Sequence, residues 1–284
     1  MIDLPVTSKF AIALRVAMFW VFAFISLKLT ASLLYPAFGV LIASVMGGFL
    51  TGCLANALCM RIYERGPLAD IGLHWNRASV HNFLVGVAGG AGAVAAVVGL
   101  PLALGVASWK PSNDVSSSLG GGIFLTVMLV FGAVGEEMFF RGYGFQILVP
   151  AVGPAATVLP MAVLFAAAHI ANQSVTSVGL FNTFAWGVVL GWALLKSGDL
   201  WLPIGLHLGW NWALPLFGVN VSGFKMRMSG YALEWRIPDL WSGGAYGPEG
   251  GLLGTVVIGL LVAFLWKARL RPQALPLVVA SPRQ

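Results

Sequence analysis

Charge is what this chain lacks. Only 9% of its 284 residues are Asp, Glu, Lys or Arg, against roughly 25% in soluble globular chains. So few charges cannot cover a compact fold with polar surface, which excludes a water-soluble enzyme or binding module. Cysteine is nearly absent too. Cys53 and Cys59 are the only two, they share one apolar run, and their spacing puts them on different faces of a helix. A disulfide framework and a CxxC metal site are therefore excluded, and both thiols are expected to pack. Runs of like charge are also missing. The net charge of +6 comes from sixteen Lys and Arg scattered singly beside apolar segments, a pattern that sets membrane topology and does not bind nucleic acid.

What is present is oil-like sequence, 58% hydrophobic. Apolar runs fall at roughly 10–33, 36–60, 82–107, 120–149, 154–171, 178–196, 200–218 and 251–268. Spanning the hydrocarbon takes about 20 residues. The expected fold is all-α: a polytopic membrane bundle of about eight transmembrane helices, forming a single membrane-embedded domain over residues 1–284. The first run contains Arg15 and Lys28 and exceeds a signal-peptide core in length, so it is read as a span. Two connections are substantial, 61–81 and 219–250. Tyr231, Trp235, Trp241 and Tyr246 of the second are expected at headgroup level, where amphipathic rings settle. With alternating spans, ten Lys and Arg fall on the side of the N-terminus, Arg283 among them, and five on the other, including Arg227. That asymmetry favours cytoplasmic termini in a multi-pass cell-membrane protein. The small-residue pairs Gly48/Gly52, Gly86/Gly90 and Gly187/Gly191 are expected to let helix backbones approach closely.

A charged side chain at the bilayer centre costs about 2.5–3.5 kcal/mol on insertion scales, so the few ionisable groups inside apolar runs are functional candidates. Three short motifs hold them. In Glu136-Glu137-Met138-Phe139-Phe140-Arg141, adjacent carboxylates diverge by about 100° on a helix and cannot share one task. Glu137 and Arg141 have the i,i+4 order that favours an ion pair, which leaves Glu136 free to act as a base toward water. In Phe165-Ala166-Ala167-Ala168-His169 the same spacing stacks a ring and an imidazole on one face, with alanines leaving room for a neighbour. In His207-Leu208-Gly209-Trp210-Asn211 it aims an imidazole and a carboxamide at one place, as an oxyanion site needs. Structural counterparts exist for each: an interhelical ion-pair cluster, a hydrogen-bonded core histidine, and a pair of interhelical hydrogen bonds.

Taken in order, each on its own membrane helix, the three motifs make the chain resemble the CPBP family, which comprises the type II CAAX prenyl endopeptidases, the bacteriocin-processing enzymes and their relatives. The resemblance is clearest over about 120–215. It implies an intramembrane endopeptidase in which Glu136, with His169, activates water. Glu137, Arg141 and Phe165 would organise the site, and His207 and Asn211 would stabilise the oxyanion. No cofactor is implied. The expected partners are the lipid bilayer and a membrane-associated peptide or protein substrate, whose identity the sequence leaves open. A zinc peptidase using Glu136, His169 and His207 is the rival within hydrolases, although no HExxH occurs. A proton-coupled transporter and a non-enzymatic membrane scaffold are the rivals outside them, but the inverted repeats and paired broken helices of a transporter are missing.

Depth along the helices sets one difficulty. Glu136 precedes Pro150 by fourteen residues and His169 follows Gly153 by sixteen, which places both about 21–24 Å from that turn. His207 is only seven residues past Leu200, about 10 Å on the same rise, and so is expected nearer the surface.

Overall fold

The computed structural model describes residues 8–112, 118–226 and 228–279; Arg227 and Arg283 of the charge asymmetry lie outside them. Helix α1 (Lys9–Cys59) starts at Ser8, whose hydroxyl accepts from the Ala11 amide, and runs on into a π-helical turn, Met60–Glu64. It is not straight. Pro36 removes a backbone donor, and Gly39 takes φ 74°, ψ −180°, a conformation open to glycine. Beyond it the chain doubles back. A Cβ on Gly47 would stand 3.4 Å from the Thr30 hydroxyl, and Arg15 reaches Glu64 at 3.1 Å across 49 residues. The runs 10–33 and 36–60 are thus the two arms of a helical hairpin.

Helix α2 (Arg77–Ala103) opens on a capping box made by Asn76 and Ser79, which satisfies orphan amides at its N-terminus. Strand β1 (Ala107–Pro111) follows, and then α3 (Leu119–Arg141), α4 (Tyr143–Val152), α5 (Pro154–Ala168), α6 (Ser177–Ser197) and α7 (Trp201–Leu216). Strand β2 (Tyr231–Trp235) pairs antiparallel with β1, Ala107 opposite Trp235 and Pro111 opposite Tyr231. The chain closes with α8 (Asp239–Ser242), α9 (Leu252–Lys267) and α10 (Pro276–Val279). The fold is all-α apart from this ribbon.

Four segments are long and apolar enough to cross a membrane: Lys9–Glu64, Arg77–Ala103, Leu119–Val152 and Ser177–Ser197. Among the described residues the expected count of eight full spans is therefore not confirmed. Helices α5, α7 and α9 have 15, 16 and 16 residues, about 23 Å each, short of the ~30 Å hydrocarbon core.

Contacts sort the connections onto two ends. At one end Tyr143 donates to Glu64 (2.9 Å), Gln146 to the Ile71 carbonyl (2.8 Å), and the Leu200 amide to the Gly72 carbonyl (2.9 Å). The segment after α9 joins them, the Gln273 amide donating to Ser197 at 2.7 Å. At the other end lie the β ribbon and the loop 219–250, where the Gly223 amide donates to the Tyr246 carbonyl (2.8 Å) and Thr176 to the Gly250 carbonyl (2.9 Å). One member of the expected aromatic belt belongs elsewhere. Tyr246 is fully buried, whereas Tyr231 and Trp241 are exposed, because Tyr246 packs against the small face of α6 at Gly179.

Backbone-to-backbone packing fixes α7. A Cβ on Gly90 would lie 2.2 Å from the Leu206 carbonyl, and one on Gly86 2.5 Å from that of Leu202. In return, Gly205 and Gly209 of α7 press on Phe83 and Val87 of α2. Gly52 and Gly135 do the same for α1 and α3, with a Cβ on Gly52 only 2.9 Å from the Gly135 carbonyl. Gly187 and Gly191 pack on Ala162 and Val158 of α5, while Gly48, the remaining member of the expected pairs, has open space where its Cβ would be.

Candidate active site

The glycine contacts aim the polar side chains. Two residues along a helix turn the direction by about 200°. Since Gly205 faces α2, His207 faces away from it; since Gly135 faces α1, Glu137 points to the opposite side, toward α6 and α7. Glu136 falls between. In this way two separate packing requirements turn α3 and α7 toward each other.

A helix break holds the end of α3 in place. Gly142 separates α3 from α4, and a Cβ there would lie 2.2 Å from both Asn56 Oδ1 and the Met138 carbonyl. Asn56, fully buried on α1, donates to the Met138 carbonyl (2.9 Å) and accepts from the Tyr143 amide (2.6 Å). It thereby satisfies backbone groups that the break would otherwise orphan in an apolar interior.

At the centre, Glu137 is fully buried, and its Oε1 accepts from Arg141 Nη1 at 3.2 Å and from His207 Nδ1 at 2.9 Å. Arg141 is itself buried, donates onward to the Gly187 carbonyl (3.3 Å), and lies over the Phe165 ring at 4.5 Å. The expected i,i+4 ion pair is formed. Burying two charges is tolerable only when they are paired and hydrogen-bonded, and here the pair also grips α6 and α7. With its Nδ1–H given to Glu137, the His207 ring has a fixed orientation and presents Nε2 to Glu136 Oε2 at 3.9 Å. The Glu136 side chain is 40% exposed, yet Oε2 is buried without a hydrogen-bond partner. One of its oxygens is thus hidden beside an imidazole while the rest of the group remains open.

His169 stands at the C-terminal cap of α5, with Nδ1 2.7 Å from the Phe165 carbonyl. Its connection to His207 runs through the Phe165 ring, 4.8 Å from the His169 ring and 6.2 Å from that of His207. The imidazole set against the Glu136 carboxylate is therefore His207; among the described residues His169 makes its polar contact with backbone. Asn211, one turn beyond His207 on α7, is half-buried. Among the described residues no group of three or more His, Cys, Asp or Glu is arranged to hold a metal ion.

The depth difficulty has a structural answer. Leu200 and Leu202 are fully buried and Asp199 nearly so, covered by residues 68–72 and the segment 273–277, so α7 begins inside the protein and not at its surface. Counting from Leu200 understates the depth of His207.

Some buried polar groups escaped sequence reasoning. Asp199 accepts from Asn82 (2.7 Å), Gln273 (2.6 Å) and the Leu202 amide (3.1 Å), capping the helix that carries His207. Burial pushes its carboxyl above the ordinary carboxylate value, and the hydrogen bonds from Asn82, Leu202 and Gln273 only partly offset this. Glu249 accepts from Trp210 Nε1 (2.8 Å) and from the Ser222 hydroxyl (2.8 Å), pinning the 219–250 loop to α7 one turn from His207. Both acids sit in connections, where sequence alone reads them as solvated. The one available signal was their company: Ser-Gly-Asp and Gly-Pro-Glu-Gly are turn-forming strings that place a carboxylate at a helix start.

The site thus sets a carboxylate–imidazole couple against a buried Glu–Arg pair inside a helical bundle. Residues 119–213 match the family described as type II CAAX prenyl endopeptidase Rce1-like, a protease family. The match runs from α3 to residue 213 within α7 and takes in every motif residue from Glu136 to Asn211. No curated protein and no solved structure matches the chain.

Proposed function

We propose that this chain is an intramembrane endopeptidase that hydrolyses a peptide bond of a membrane-associated protein or peptide, with Glu136 as the base that activates water. The observation that carries this is the pairing of Glu136 Oε2, buried and without a partner, with His207 Nε2 at 3.9 Å. That separation is too long for a direct hydrogen bond, and a water oxygen placed about 2.8 Å from each atom would satisfy both. In its neutral form His207, its Nδ1 proton committed to Glu137, offers Nε2 as an acceptor, so that the same water donates one proton toward Glu136 and the other toward His207. Its lone pairs are then free for the scissile carbonyl. Glu136 takes the proton as the C–O bond forms and returns it to the departing amine as the C–N bond breaks. Asn211, beside His207 on α7, supplies a donor to the oxyanion, and His169 acts across the Phe165 ring.

His207 takes the water-orienting part that the family resemblance gives to His169, an exchange supported by the 3.9 Å between its Nε2 and Glu136 Oε2. Glu137, Arg141 and Phe165 hold the imidazole. The sorting of Arg61, Arg65, Arg77, Lys196 and Lys267 onto the bundle end that carries Glu64, Gly72 and Gln273 supports a cytoplasmic location for that end. Purified protein in detergent should cleave a membrane-associated peptide substrate, and Glu136→Gln should abolish cleavage while melting as the parent does. A fully active Glu136→Gln protein would overturn the assignment.

A further inference from the structure

At the end of the second arm of α1 the chain carries two guanidinium groups with nothing to bind. Arg61 and Arg65 line a cavity of about 500 Å³ together with Ala57, Gly66 and Leu68. Neither guanidinium group has a hydrogen bond, ion pair or ring contact among the described residues. The carboxylates nearest in sequence are already engaged: Glu64 with Arg15 (3.1 Å) and Tyr143 (2.9 Å), Asp70 Oδ1 with His74 (2.9 Å). Asp70 Oδ2 sits at the rim, 2.8 Å from where a Cβ on Gly66 would be. Arg65 holds a left-handed backbone, φ 54°, its amide donating to the Met60 carbonyl. A non-glycine residue in that region is uncommon and tends to mark a functional constraint; here the turn brings Arg65 to the cavity that Arg61 already lines.

The approach to this cavity is apolar. Leu54, Leu58 and Ile62 follow one another at i,i+4 on a single face of the arm, 46%, 40% and 52% exposed, and lead directly to the two arginines. A lipid-facing stripe that ends in paired guanidinium groups matches one kind of molecule in both halves, apolar chain below and phosphate above. Planar guanidinium forks engage phosphate oxygens bidentately, and basic pockets at the ends of membrane helices attract anionic headgroups. We infer that the Arg61/Arg65 cavity is a binding site for an anionic phospholipid, with the acyl chain along Leu54, Leu58 and Ile62 and the headgroup phosphate between the two guanidinium groups.

The full chain is reconstituted in nanodiscs of phosphatidylcholine alone, of an equal mixture with phosphatidylglycerol, and of phosphatidylcholine with inorganic phosphate in the buffer. Thermal unfolding and the phosphatidylglycerol retained after detergent extraction are read in each. The mixture should raise the melting temperature, inorganic phosphate should not, and Arg61→Gln/Arg65→Gln should retain phosphatidylglycerol at least about tenfold more weakly, since two charge-assisted contacts are lost. Lys225→Gln/Arg236→Gln, at the other end of the bundle, should retain it as the parent does. Arg61→Lys/Arg65→Lys keeps the charge without the fork and should fall between, which preserves the test if the glutamine variant does not fold. Undiminished retention in the glutamine and lysine variants overturns the site. An equal thermal shift from inorganic phosphate overturns the lipid as its occupant.

Discussion

Glu136 and Glu137 are neighbours in sequence with opposite surroundings, so the same Glu→Gln change should do two different things. Glu137 is fully buried and accepts from both Arg141 and His207. Neutralising it leaves Arg141, itself buried, without its countercharge, and breaking a buried pair from one side costs about 3–5 kcal/mol. For a chain of this size each kcal/mol moves the melting temperature by about 2–4 °C, so Glu137→Gln should melt roughly 6–20 °C below the parent. Glu136 has a side chain 40% exposed and no hydrogen bond at its buried oxygen. Glu136→Gln should stay within about 1 kcal/mol of the parent and yet cut cleavage by about 10²–10⁴-fold, the contribution of a positioned base. Thermal unfolding in detergent and single-turnover peptide cleavage, run on both variants, read the two effects separately. The double variant Glu137→Gln/Arg141→Met removes both charges and should recover most of the lost stability without recovering activity. Equal destabilisation by the two glutamines, or a Glu137→Gln protein as stable as the parent, would refute the division of labour.

Three further outcomes follow from the geometry. Exhaustive chelation should leave peptide cleavage unchanged, because the described residues offer no three-donor metal group; loss of activity restored by added zinc would contradict this. Gly90→Ala should destabilise by at least about 1–3 kcal/mol, since its Cβ would meet the Leu206 carbonyl at 2.2 Å, whereas Gly92→Ala, with open space at the same point on the same helix, should be neutral or slightly stabilising, and thermal melts of the pair check it. For Asp199, burial raises the carboxyl above its ordinary 3.8, so the folded chain binds that proton more tightly than the unfolded one. The stability this group contributes is greatest near and below pH 3.8 and is lost as pH rises through the raised value. The difference in melting temperature between the parent and Asp199→Asn should therefore move against the parent as pH increases; the reverse slope would show that the hydrogen bonds outweigh desolvation.

Much of the fold was legible because the bilayer makes hydrophobic runs the dominant signal. All the apolar runs became helices, including the two that share α1, where the chain reverses at Pro36 and Gly39. The lengths were not legible. The run 154–171 yields only Pro154–Ala168, because His169 leaves the helix at its cap, and the run 120–149 is cut at Gly142 by a contact with Asn56 that is 87 residues distant along the chain for its Tyr143 hydrogen bond. The Glu137–Arg141 pair could be read from spacing, since both partners lie on one helix. The meeting of Glu136 with His207 could not, because it depends on how far α7 is recessed, and that is set by residues 68–72 and 273–277 closing over Leu200.

The same offset explains why the site is built where it is. On α3 and α7 a glycine that presses on a neighbouring backbone precedes the buried polar residue by two positions: Gly135 before Glu137, Gly205 before His207. Close approach on one side makes the helix rigid in rotation, since any turn about its axis would drive backbone into backbone, and the opposite side inherits that rigidity. In a membrane, where lipid provides no hydrophobic force to press helices together, such contacts are the available means of aiming a side chain. The 2.9 Å bond between Glu137 and His207 is then a consequence of two interfaces that contain no chemistry. Substituting the glycines should disturb catalysis through the angle at which His207 meets Glu136, without altering any group that touches substrate.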